Sequence, residues 1–209
     1  PQMEEIKWIK HYSSNHKILL VGEGDFSFAA SLASAFGNAS NMTATSLDSE
    51  VMLEIKHPTA AANLGLLKSK GCTIIHEVNA CTMSRHPQLE HMEFDRIVFN
   101  FPHAGYTNYS EHNYIQICLH KEVVRGFFKS AYQMVSAVGE VHVTHKTAYP
   151  FSAWEIKKLA EGAEFKLIEE VKFHIYEYRG YQNKRGDGDR SNSTFPIGEC
   201  STFKFAKYY

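Results

Sequence analysis

The run Lys17-Ile18-Leu19-Leu20-Val21, followed at once by Gly22-Glu23-Gly24-Asp25, limits the possible folds more than any other stretch. An uninterrupted apolar run that short suits a strand buried on both faces, as in a parallel sheet covered by helices. The glycines then let the backbone turn sharply and come close to a ligand. Phe26 to Phe36, rich in Ala, Ser, Leu and Phe and stopped by Gly37-Asn38, reads as the following helix with its C-cap.

The alternation continues along the chain. Strands are predicted at Met42–Leu47, Cys72–Val78, Phe94–Phe99 and Glu140–Lys146, and helices at Glu50–Lys56, Ala60–Lys70, Asn113–Ala137 and Trp154–Glu161. Gly139 ends the longest helix, whose Ile117, Val124, Phe127, Phe128 and Ala131 recur at helical spacing. Two further strands, Phe165–Tyr178 and Ser201–Tyr208, have no helix between them, which predicts an antiparallel pair at the sheet edge. The whole is an α/β, doubly wound, mostly parallel seven-stranded sheet, one Rossmann-like domain over residues 1–209 with a polar loop at 179–199.

A chain of 209 residues that is 44% hydrophobic can bury a full core. Cys72, Cys81, Cys118 and Cys200 lie far apart without a CxxC pair, which argues against a zinc ribbon or disulfide scaffold and for a reducing, intracellular setting. No signal-peptide pattern or bilayer-length apolar run is present, so no membrane partner is expected. The chain starts at Pro1-Gln2 without an initiator Met, which fits a processed or excised piece. Twenty-two Lys and Arg against 23 Asp and Glu give a net charge of -1, so no global basic field draws in a polyanion. Nucleic-acid binding would have to be local.

In open α/β sheets ligands bind beyond the carboxyl ends of the strands. The loop Gly22, Glu23, Gly24, Asp25, Phe26, Ser27, Phe28 occupies such an end. Ser27 replaces the third glycine of the dinucleotide fingerprint, which lowers an NAD reading. Asp48 closes the second strand roughly twenty residues beyond the loop, where a carboxylate accepts from ribose hydroxyls; its alternative is to cap the helix beginning near Ser49. Asn100-Phe101-Pro102-His103 follows the fourth strand. This Asn-aromatic-Pro turn resembles the NPPY-like element with which several base-methylating enzymes hold a planar amide or amine, although a purely structural turn is the alternative. His103, His142, His145 and Lys146 are the titratable groups near strand ends, and none of the twelve histidines has HxxxH or HExxH spacing, so no metal is expected. Lys184, Arg185 and Arg190, with Tyr178 and Tyr181 nearby, offer either a local RNA-binding surface or a solvated loop.

Taken together, Lys17–Phe28, Thr43–Asp48, Phe94–His103 and Gly139–Lys146 make the sequence resemble the 25S rRNA uridine-N3 methyltransferase-like domain. Gly180–Gly186 and Gly198–Phe205 resemble the plant branch of that family. The resemblance implies a class I methyltransferase fold, S-adenosylmethionine as donor, uridine N3 in large-subunit rRNA as acceptor, and a nucleolar or nuclear location. It further implies that Gly22 to Phe28 hold the methionine part of the donor and Asp48 the ribose. Asn79 stands where such enzymes commonly carry an acidic residue near the adenine amine. His103 is the first candidate base and Lys146 a stabiliser of negative charge on a uracil oxygen. The competing expectations are a methyltransferase for another substrate, an inactive cofactor- or RNA-binding module, and lastly an NAD-dependent oxidoreductase.

Overall fold

The structure is a computed structural model and describes residues 2–208, so Pro1 and Tyr209 lie outside the described residues. Apolar runs become strands where both of their faces are covered. In β1 (Ile18–Val21), Leu19 and Val21 enter one core while Ile18 and Leu20 enter the other. The chain continues through α1 (Ser27–Phe36), β2 (Met42–Thr45), α2 (Glu50–Lys56), α3 (Ala60–Ser69), β3 (Thr73–Ile75) and β4 (Phe94–Asn100). After these come α4 (Tyr114–Met134), β5 (Val135–Lys146), α5 (Ile156–Gly162), β6 (Phe165–Lys172) and β7 (Cys200–Lys207).

The seven strands form one sheet in the order β3-β2-β1-β4-β5-β7-β6. The first five are parallel, and β7 runs antiparallel between β5 and β6. Strand order reverses between β1 and β4, so the crevice for a ligand lies at their carboxyl ends. One core packs α4 and α5 against the sheet through Phe127, Phe128 and Leu159, and the other packs α1 and α3 through Leu32, Ala33 and Leu64. This is the Rossmann-like α/β architecture the sequence predicts.

Several boundaries differ. The predicted strand over 165–178 stops at Lys172, because Phe173 and Tyr178 turn inward to stack on each other, with Tyr178 also against Phe28, and Ile175–Glu177 forms a 3-10 turn. The helix predicted to Ala137 ends at Met134, and the sheet takes Val135 onward. Gly139 sits inside β5 beside a register shift, where a Cβ would lie 2.9 Å from the Asp95 carbonyl oxygen. The helix predicted from Trp154 is split by Glu155, whose φ of 53° separates a 3-10 turn (Phe151–Trp154) from α5. A short hairpin pairing Trp8–Ile9 with Tyr12–Ser13 was not expected. The Tyr12 hydroxyl donates to His142 Nδ1 at 2.8 Å, pinning the hairpin to β5.

Candidate active site

At the carboxyl ends of β1, β2 and β4 lies a cavity of about 450 Å³ lined by Gly22, Glu23, Gly24, Asp25, Phe28, Asp48, Asn79, Asn100, Phe101 and His103, among others. Gly22 has φ +65°, and a Cβ there would fall 2.5 Å from Phe99 Cε2, so two independent constraints require glycine. The Glu23 amide donates to the Thr45 carbonyl, tying the loop to β2. Glu23 Oε1 is buried without a partner among the described residues. Burial and the neighbouring Asp25 charge push the Glu23 carboxyl up to about 8, against an opposing hydrogen bond from the Ala29 amide, so near neutral pH it is mostly protonated.

Other loop residues are spent on architecture. Asp25 lines the cavity, yet one carboxylate oxygen accepts from the Ser27 amide and the other from the Thr59 hydroxyl, joining the start of α1 to α3. Phe26 is fully buried in the core, and Ser27 exchanges hydrogen bonds with the Gln182 backbone. Neither lines the cavity, because Phe26, at φ 64°, turns its ring away as α1 begins.

Asp48 does not cap α2. Ser49 does, accepting from the Met52 amide, which leaves Asp48 on the cavity wall with Lys56 Nζ 2.7 Å from its Oδ1. Asn79 Oδ1 accepts from the Cys81 amide at 2.8 Å, so its NH2 is the group left for a ligand. Phe101 has φ 50° and donates its amide to the Thr144 carbonyl; its ring is held edge-on by Phe173 and Phe195.

A second cavity, of about 210 Å³, adjoins the first, and Phe101, His103, Lys184, Arg185 and Phe195 line both. Pro102, His145, Lys146 and Trp154 line only the second. Lys146 Nζ lies 4.3 Å from the Phe151 ring centre and 4.8 Å from that of Phe195, and burial lowers its pKa. The Arg185 guanidinium stacks 4.2 Å over Tyr106. Arg185 Nε and Trp154 Nε1 are buried donors without partners among the described residues.

The histidines of this slot differ in what they have left to offer. Backbone amides only donate, so the Gly105 amide fixes His103 Nδ1 as an acceptor and the Ala104 amide does the same for His120 Nδ1. Both rings therefore carry their proton on Nε2, and both direct it at Glu111, at 2.9 and 3.1 Å. Burial would raise the Glu111 carboxyl, but the two imidazole hydrogen bonds outweigh it and hold the group well below the carboxylate range. His103, Glu111 and His120 form a cluster of metal-ligating side chains within 4.8 Å. With main-chain donors facing Nδ1, neither neutral ring can free Nε2 for an ion without a donor-to-donor clash. His103, the first candidate base, likewise has no lone pair to spare. His145 does: its Nε2 donates to the Phe151 carbonyl, and burial first of all keeps its pKa down at about 4, so a neutral ring keeps a lone pair on Nδ1 with no hydrogen-bond partner among the described residues.

The late loop folds over the first cavity. The missing Cβ of Gly24 would sit 3.4 Å from Lys184 Cβ, the Tyr106 amide donates to Asp187, and Lys56 Nζ reaches the Gly186 carbonyl. Lys184 Nζ is turned back onto the Asn192 carbonyl. Arg190 is exposed and lines neither cavity, because bonds from Gly186 to Ser191 and from Arg185 to Ser193 carry the loop tip away.

A protein-family model described as BMT5-like, rRNA (uridine-N3-)-methyltransferase BTM5-like, matches residues 19–185. The chain belongs to the BMT5-like family. It is 55% identical over 203 residues to an uncharacterized protein of Arabidopsis thaliana, covering 96% of this chain and 97% of that one. It is 22% identical to the 25S rRNA (uridine(2634)-N(3))-methyltransferase of Saccharomyces cerevisiae over 94% of this chain and 74% of that protein. In fold it resembles NSun6 from Pyrococcus horikoshii with SFG, at TM-score 0.60 and 16% identity, over 92% of this chain and 48% of that one.

In this BMT5-like chain most of the predicted residues divide between two adjoining cavities, with His103 lining both, while Phe26, Ser27 and Arg190 line neither. Sequence reasoning missed Lys56, Tyr106, Glu111, His120 and Trp154. Their segments carry no motif, and His120 lies mid-helix among apolar neighbours, where an imidazole looks like any core residue.

Proposed function

We propose that this chain transfers the methyl group of S-adenosylmethionine to N3 of a uridine in large-subunit rRNA. The family membership and the methyltransferase fold support the reaction class. The first cavity suits the donor: its volume is that of a small-ligand site, Asp48 stands at a ribose position, and the orphaned Glu23 oxygen offers a partner to a cationic amine. Asn79, with its carbonyl already used, would donate to an adenine ring nitrogen in place of accepting from the amine.

The observation that carries the acceptor is the set of free polar groups in the slot. Lys146 Nζ, Arg185 Nε and Trp154 Nε1 are N–H donors, and His145 Nδ1 is one bare lone pair. Uracil presents carbonyl, N3–H, carbonyl along one edge, so donors suit its oxygens and the lone pair suits its proton. Cytosine and adenine would set an amino group among these donors. When bound, the cofactor supplies an electrophilic methyl on a sulfonium. His145 Nδ1 would take the N3 proton, Lys146 and Arg185 would stabilise the negative charge spread onto the carbonyl oxygens, and N3 would take the methyl as the methyl–sulfur bond breaks and the neutral thioether leaves. Phe101 and Pro102 form the rim that fixes the base at the junction. Chemistry at a pairing position needs an unpaired or flipped base, and a slot of this size admits one ring. Work on a large-subunit precursor implies a nucleolar site of action.

Calorimetry with S-adenosylmethionine, S-adenosylhomocysteine and NAD, followed by labelled methyl transfer to rRNA and nucleoside analysis, tests this. The expected results are binding of the first two and formation of N3-methyluridine. NAD binding alone would overturn the cofactor, and tight cofactor binding without transfer to any RNA would point to a binding module.

A further inference from the structure

Lys184 Nζ and the Arg185 guanidinium are engaged within the protein, and the exposed Arg190 lines neither cavity. The surface between α4 and α5 carries a continuous groove made of two concavities, and Lys121 and Arg125 line both. Lys121, Arg125 and Lys129 follow one another at i, i+4 and i+8 on α4, one face with steps of roughly 6 Å. Lys158 on α5 faces them from the other wall. Two carboxylates are present, and each has a cation of its own: Glu122 pairs with Arg125 and Glu155 with Lys158. Lys121 and Lys129 are in no ion pair among the described residues, so the groove keeps a positive surplus in a chain whose net charge is -1.

At its upper end the groove is lined by residues close in the chain to those of the slot. Glu111 and Phe151 line the slot, while their neighbours His112 and Tyr149 line the groove and touch ring to ring at 5.5 Å. Tyr149 and Tyr114 there are 66% and 78% exposed, large aromatic rings turned mostly to solvent. A row of cations leading to exposed aromatics is the arrangement that takes single-stranded nucleic acid, charge on phosphates and rings on bases.

We propose that the α4–α5 groove binds the RNA strand flanking the base in the slot, with Lys121 and Lys129 on phosphates and Tyr149 stacking a neighbouring base. This rests on the acceptor being RNA. The test is fluorescence anisotropy of the S-adenosylhomocysteine-loaded protein with a single-stranded, uridine-containing RNA long enough to span slot and groove, across a salt series. The Lys121→Glu, Lys129→Glu double variant is expected to bind about tenfold more weakly, with a log–log salt slope shallower by roughly 1.4 for two lost phosphate contacts. Its melting temperature and cofactor affinity should stay at the wild-type values. Tyr149→Ala should weaken RNA binding and leave polyglutamate binding as it was.

Unchanged RNA affinity and salt slope in the double variant would overturn the groove, as would polyglutamate competing as well as RNA of equal charge. Methyl transfer is scored separately. Wild-type transfer to RNA with unaffected variant binding removes the groove and keeps the function; groove-dependent binding without transfer to any RNA does the reverse.

Discussion

Lys56 closes on Asp48, with Nζ 2.7 Å from Oδ1, so the carboxylate proposed to hold the ribose already holds a cation. Both side chains are largely buried, and Lys56 also binds the Gly186 carbonyl of the covering loop. Asp48→Ala should weaken S-adenosylmethionine binding by about 1.5–3 kcal/mol through loss of charge-assisted hydrogen bonds. It should also lower the melting temperature, because the largely buried Lys56 is left without its counter-charge. Calorimetry and thermal melts read the two effects apart, and unchanged cofactor affinity would remove Asp48 from the site.

Gly22→Ala meets both a positive φ and the Phe99 ring. The backbone strain alone is worth about 1–3 kcal/mol, so the variant should melt earlier and lose cofactor binding. Adding Phe99→Leu removes the collision and leaves the strain. The double variant is therefore expected to recover only part of the loss; full recovery would show that φ is not a constraint there.

Stability should peak between pH 6 and 7, within about half a unit of the ordinary histidine pKa of roughly 6.5. His11, His142 and His145 are held neutral chiefly by burial, with pKa values near 3, 4 and 4. As pH falls below the usual histidine value, the unfolded chain takes up protons that the fold refuses, and stability drops. Glu23 acts with the opposite sign. Raised to about 8, it keeps a proton in the fold that the unfolded chain releases above its usual 4.5, so stability also declines as pH rises toward 8. Denaturant midpoints across this range should trace both limbs, and Glu23→Gln should flatten the upper one and steepen the lower, where Glu23 opposes the histidines from pH 4.5 upward. A midpoint still rising at pH 8 in the wild type would refute the assignment.

Nitrogen-15 spectra of the imidazoles should show His103 and His120 as Nε2–H tautomers. Zinc should leave both resonances in place, since the Gly105 and Ala104 amides occupy their Nδ1 lone pairs. Nδ1–H rings together with a zinc-dependent shift of both would establish a metal centre with Glu111. Glu111→Ala should destabilise the protein by about 1–3 kcal/mol, because the buried His120 N–H loses its acceptor.

Trp154→Phe removes one N–H with little change in packing. If the acceptor is uridine, transfer to it should slow while S-adenosylmethionine affinity holds, a loss of about tenfold for one hydrogen bond to a carbonyl. Equal rates in the variant would take Trp154 out of base recognition.

Sequence alone determined the sheet, the helices between its strands and the position of the glycine loop. Burying both faces of β1 and β4 demands apolar runs such as Ile18–Val21, and the turn beyond β1 demands Gly22; both requirements are local and leave a mark in the chain. The turn Asn100–His103 was legible for the same reason, as a short motif at a strand end. Tertiary structure decided what each polar atom has left to give. Asp25 and Ser27, which looked like ligand contacts, are used up within the fold, and Lys184 and Arg185 are folded inward. His103 and His145 read alike in sequence, but amides and carbonyls brought together from different segments set their tautomers and left only one with a free lone pair. Hydrogen-bond capacity is consumed by neighbours in space, and those neighbours have no fixed spacing along the chain.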